Sequence, residues 1–166
     1  MATPTFDLLG EATISGNATN SITFNGLDQS YKDLTISYTG KCTNASDQLR
    51  MYFNGVSTGG KYGGTVAEND GTDFFRTFNY GTMDKIYSSY NYSDSKSDKV
   101  TSIWFEVFNY TLSGQRKPFI TKTAGAAGNT LMVGQVANTG ALTSVTLDYT
   151  GNFADGATVS IYGVVG

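Results

Sequence analysis

The side chains able to do chemistry in this chain are few and scattered. Glu68, Asp70 and Asp73 crowd around Gly71, and acids at an Asp-Gly turn suggest a calcium loop. The EF-hand template does not fit them, because its first ligand would be Val66 and its twelfth-position glutamate would be Thr77. Turn formation in a Gly- and Asn-rich loop accounts for these acids, and no metal is expected. Glu106 is the one acid inside a strongly aromatic segment, alternating with Trp104 and Phe108. Glycoside hydrolysis needs two carboxylates held about 5–9.5 Å apart, and one acid on a strand face does not supply them. The alternation would still suit a sugar-stacking platform.

The chain has no histidine, which removes Ser-His-Asp and Cys-His arrangements, imidazole metal ligands and the commonest general base near neutral pH. The single cysteine, Cys42, excludes an internal disulfide and any CxxC motif. No Gly-Lys-Ser/Thr phosphate loop occurs, and without histidine no base stands ready to activate a serine or threonine hydroxyl. Asn17, Asn44, Asn91 and Asn109 open Asn-x-Ser/Thr sequons, about as many as this composition gives by chance, so they carry no message. The sequence therefore reads as a protein without catalytic residues and without a cofactor.

Two groups of residues suit binding instead. Tyr80, Tyr87, Tyr90 and Tyr92 lie in or beside a polar stretch where a core cannot use them all, and tyrosine offers large contact area at small entropic cost. Phe6, Leu8 and Leu9 put three apolar residues into the nearly uncharged segment 1–9, which suits an amino-terminal arm docking on a neighbour. These seven residues are the interface candidates.

The elements that must position them are strands. Thr, Tyr, Phe, Val and Ile abound, 20 glycines punctuate the chain, and no window of helical length keeps an unbroken apolar face. Ile22 and Phe24 alternate with Ser21 and Thr23, and Leu34, Ile36 and Tyr38 with Thr35 and Ser37. Leu49 to Phe53 ends at Asn54-Gly55, a strong turn signal. Further strands are expected around Phe74–Phe78 and Met83–Tyr87, and over 117–123, 131–136, 144–149 and 158–164. The segment 100–110 carries large residues on both faces, which predicts a central strand covered on two sides. Pro118 predicts an edge or first position. Gly59-Gly60 with Gly63-Gly64, the stretch 88–99 and the stretch 124–128 read as loops.

Roughly ten short strands at sandwich-like spacing predict an all-β, jelly-roll-like antiparallel β-sandwich. With 166 residues and no linker, the chain is expected to be a single domain over 1–166. The net charge of −3 argues against a nucleic-acid binder or a polybasic membrane-surface module. No stretch approaches a membrane span, and the start lacks the features of a targeting signal.

Ser21-Ile22-Thr23-Phe24 followed by Gln29-Ser30-Tyr31-Lys32-Asp33-Leu34 resembles a motif of small β-rich virion proteins of tailed bacteriophages, cyanophages included. The carboxyl end, Gly151-Asn152-Phe153-Ala154-Asp155-Gly156-Ala157-Thr158 and then Ile161-Tyr162-Gly163, is similar too. Together these motifs cover about a third of the chain. In them Tyr31 and Leu34 would anchor a strand entrance while Lys32 and Asp33 stay wet, and Phe153 and Tyr162 would close the sandwich end. The resemblance implies a virion structural protein made in the host cytoplasm and carried on the capsid surface. Its expected role is that of a decoration (cement) protein, a homotrimer bound to the major capsid protein. A tail-associated fibre or adhesion module and a glycan-binding β-sandwich remain the alternatives.

Overall fold

The computed structural model describes residues 6–16, 19–43, 48–56, 61–69, 76–87, 100–125 and 128–165. Among them there is no helix. Twelve strands run in chain order: β1 (Phe6–Thr13), β2 (Ser21–Asn25), β3 (Asp33–Gly40), β4 (Arg50–Phe53), β5 (Tyr62–Asn69), β6 (Arg76–Met83), β7 (Ile86–Tyr87), β8 (Thr101–Val107), β9 (Lys117–Gly125), β10 (Gly128–Val136), β11 (Ser144–Asp148) and β12 (Thr158–Val164). Every pairing is antiparallel. One sheet has the order β1-β12-β3-β8-β9-β10-β5-β6 and the other β2-β11-β4-β7.

Eight of these strands make a jelly roll. The quartets β1-β12-β3-β8 and β2-β11-β4-β7 interleave the first and last strands of the chain as two Greek keys do. The other four strands form two hairpins inserted into that frame. The β9–β10 hairpin follows β8 and pairs with it, and the β5–β6 hairpin, inserted between β4 and β7, then pairs with β10. One sheet is thereby twice as wide as the other.

Period-two alternation fills the space between the sheets. Leu34, Ile36 and Tyr38 of β3, Ile103, Phe105 and Val107 of β8, and Val159 and Ile161 of β12 are buried. Met51 and Phe53 of β4 and Val145 and Leu147 of β11 face them from the narrow sheet. Phe105 stacks on Phe119 at 5.4 Å and packs against Phe53 at 6.3 Å, joining the two layers. Tyr38, Tyr149 and Phe153 form a second aromatic group, with ring centroids 4.8–6.1 Å apart. Asn54 and Gly55 both take positive φ, 53° and 68°, as the expected tight turn requires. Asn54 Oδ1 accepts from the Thr143 and Ser144 amides, which fixes β4 to the start of β11.

Lys117 is fully buried. Its ammonium donates to the carbonyls of Gln115, Asn138 and Gly140 at 2.8, 3.1 and 2.5 Å. A buried cation is tolerable only when such acceptors surround it, and here it ties two loops together. Burial lowers its pKa from the ordinary lysine value.

Several expectations need correction. Gly63 and Gly64 belong to β5 and not to a loop. Residues 6–13 form a strand paired with β12 and not a free arm. Ala124 and Gly125 end β9, and Gly128 starts β10, so three of the five residues expected in a loop belong to strands. Pro118 is the second residue of β9 and not an edge residue, opposite Gln135 in a strand paired on both sides. Tyr162 does not close the sandwich end; it alternates with buried Ile161 and meets Phe6 edge-on at 6.5 Å. The metal reading of Glu68, Asp70 and Asp73 falls outside what the structure describes, since Asp70 and Asp73 are not among the described residues and Glu68 is described in its backbone only.

Candidate interaction surface

The wide sheet buries one face and leaves the other open. Trp104, on the open face of β8, is 38% exposed, and Leu131 and Val133 of β10 are 47% and 44% exposed. This corrects the expectation that β8 is covered on two sides. The neighbouring strands explain the difference: the outward residues of β3 are Thr35, Ser37 and Thr39, which offer a further layer little apolar area to bury.

Strand register lines these side chains up across the sheet. Ser37, Trp104, Lys122, Leu131 and Ala67 are successive cross-strand partners in β3, β8, β9, β10 and β5. Beside this row runs a row of smaller residues, Thr39, Ser102, Ala124 and Asn129. The step between small and large side chains hollows out a trough of about 820 Å³. On its other side, Trp104 also lines a smaller groove of about 160 Å³ with Phe6, Thr35, Glu106 and Phe108.

The Trp104 ring is held in place. Its Nε1 donates to Glu106 Oε1 at 2.9 Å, and the same oxygen accepts from Lys122 Nζ at 2.9 Å. Alternation on β8 puts Trp104 and Glu106 on one face, and register brings Lys122 of β9 beside them. The lone acid of the aromatic strand is therefore a positioning group for the indole and the partner of a lysine.

The seven interface candidates separate. Phe6 and Leu8 are 49% and 56% exposed on β1, which ends the sheet order. Leu9 and Tyr87 are half-buried and pack against the core. Tyr87 sits opposite Arg50. Tyr80 takes its place in β6 opposite Gly64, with its side chain outside the description, and Tyr90 and Tyr92 lie outside the described residues. The structure thus places Phe6 and Leu8 together and brings Trp104 to the same broad face. Sequence reading missed the Trp104–Lys122–Leu131 row as a unit because cross-strand register is not written in any one segment.

The β1 edge has its own support. Tyr31 lies directly over Gly163, where a Cβ would come within 2.4 Å of the ring, and its hydroxyl donates to Asp7 Oδ2 at 2.9 Å. Between Leu8 and Gly10 the register with β12 shifts, a bulge at Leu9.

The opposite face, on the narrow sheet, is polar and internally paired. Arg50 makes two hydrogen bonds to Asp148, at 3.1 and 3.2 Å, and Lys85 reaches the same carboxylate at 2.6 Å. Among the described residues no group of three or more metal-ligating side chains converges. No protein-family model matches the chain. No curated protein sequence matches it either.

Proposed function

We propose that this protein is a structural component of a tailed-bacteriophage virion: a capsid decoration protein that binds the major capsid protein lattice and stabilises the head. The observation that carries the reading is the β1 edge, where Phe6 and Leu8 stand exposed on the outermost strand of a wide, well-packed sheet. Burying the half of each side chain that is still exposed supplies about 1–1.5 kcal/mol each. The bulge at Leu9 interrupts the edge, a feature that discourages open-ended strand addition, so side chains and not a growing ladder would make the contact. The residues of the virion-protein resemblance support that edge: Tyr31 and Gly163 pack together, and Tyr31 binds Asp7. A homotrimer on the capsid surface, assembled after synthesis in the host cytoplasm, is part of the same proposal.

The test compares the wild-type chain with Phe6→Ser/Leu8→Ser on capsids that lack the protein. The reading expects wild-type copies in numbers comparable with the major capsid protein, a raised capsid melting temperature, and at least a tenfold loss of binding in the double variant. A few copies per particle, found at the tail, would replace it with the fibre or adhesion reading.

A further inference from the structure

The geometry points to the trough beside Trp104 as a binding site for a neutral saccharide chain. The site lies on the broad face of the wide sheet, three strand spacings from β1, or about 14 Å at roughly 4.8 Å per spacing. The inference does not rest on the virion reading.

Three features select the occupant. An indole that is 38% exposed and fixed by Glu106 presents a π surface, whose negative face attracts the weakly positive C–H edges of a pyranose ring. Around it stand Ser37, Thr39, Ser102 and Asn129, short hydroxyl and amide groups that can both donate and accept, as sugar hydroxyls require. Among the described residues the only cation lining the trough is Lys122, already paired with Glu106 at 2.9 Å. The lining therefore carries no net positive charge, and a polyanion such as single-stranded nucleic acid finds no counter-charge there.

Size agrees with chemistry. The volume of about 820 Å³ lies within the roughly 300–1,000 Å³ of small-ligand sites. From β3 to β5 the trough crosses four strand spacings, about 19 Å, room for several rings in a row.

The chain has one tryptophan, so its fluorescence reports this site alone. The full chain is titrated with cellohexaose, maltoheptaose, chitohexaose, laminarin, xylan and mannan, and retardation in gels containing the polymers is measured in parallel. Saturable quenching and retardation by at least one of them is expected. Trp104→Ala should weaken binding tenfold or more, Trp104→Phe should retain part of it, and Glu106→Gln should weaken it several-fold. Ala124→Leu fills the floor at an exposed position and should abolish retardation with an unchanged melting temperature, which covers the case of a Trp104→Ala chain that does not fold. Failure of all six saccharides, undiminished binding by Trp104→Ala or Ala124→Leu, or a change of oligomeric state in Trp104→Ala would each overturn the inference. Capsid decoration should be the same for Ala124→Leu and wild type, so the two proposals fail separately.

Discussion

The Tyr62 hydroxyl joins the inserted hairpin to the jelly roll through Phe53. It accepts from the Phe53 amide at 2.8 Å and donates to the Val56 carbonyl at 3.1 Å. Tyr62 opens β5 in the wide sheet, while Phe53 ends β4 in the narrow one. One phenol therefore holds the two layers at a point where the backbone of β4 turns away and no strand ladder can serve it. Tyr62→Phe keeps the ring and strands both backbone groups. A buried unsatisfied donor costs about 1–3 kcal/mol, so denaturant melts should show a loss of that order, with the slope unchanged.

High pH should attack the same site. Burial pushes Tyr62 up to about 12, partly offset by the Phe53 N–H, and burial pushes Tyr110 to about 12 with help from the Asp28 and Tyr31 charges. Tyr38 is raised too, by burial first. For an acid whose folded pKa lies above its unfolded value near 10, the stabilisation is complete below pH 10 and is lost as pH climbs through the folded value. Lys117 acts in the opposite sense: its lowered pKa makes its charge a cost at neutral pH that is relieved as pH rises toward 10.5. Stability should therefore hold to about pH 10 and fall between 10 and 12. Phenolate absorbance should show Tyr38, Tyr62 and Tyr110 ionising only with the loss of near-UV dichroism, and one fewer such tyrosine in Tyr62→Phe.

Much of the architecture was legible in the alternation of residues such as Leu34, Ile36 and Tyr38, because burying one face of a strand forces period two. The glycines of β5 were not. Gly64 pairs with Gly134 across strands, and a Cβ on Gly64 would sit 2.5 Å from the Val133 carbonyl oxygen. A Cβ on Gly134 would sit 2.2 Å from the Gly63 oxygen and 2.6 Å from the Phe119 ring. These glycines mark a close approach of backbones within a sheet, a use that looks like loop punctuation in a linear sequence. The trough was hidden for a related reason. Trp104 and Glu106 were visible as neighbours on a strand, but Lys122 and Leu131 join them only through the register of two later strands.

Thr121 sits where the two layers meet and breaks the apolar pattern of its surroundings. It is 1% exposed, and its Oγ1 has no hydrogen-bond partner among the described residues. It lines a void of only about 10 Å³ together with Met51, Ile86, Ile103 and Phe105, a space at the lower limit for one water and with too few polar partners to hold it. Thr121→Val keeps the branched shape that a strand favours and replaces the orphan hydroxyl with a methyl group. Removing an unpaired buried hydroxyl returns its desolvation cost, so the variant should be more stable by about 1 kcal/mol, which raises the melting temperature by roughly 2–4 °C in a chain of this size. Thr121→Ser, which keeps the hydroxyl and loses the methyl, should move the other way. A destabilised Thr121→Val would mean that the hydroxyl has a partner in solution.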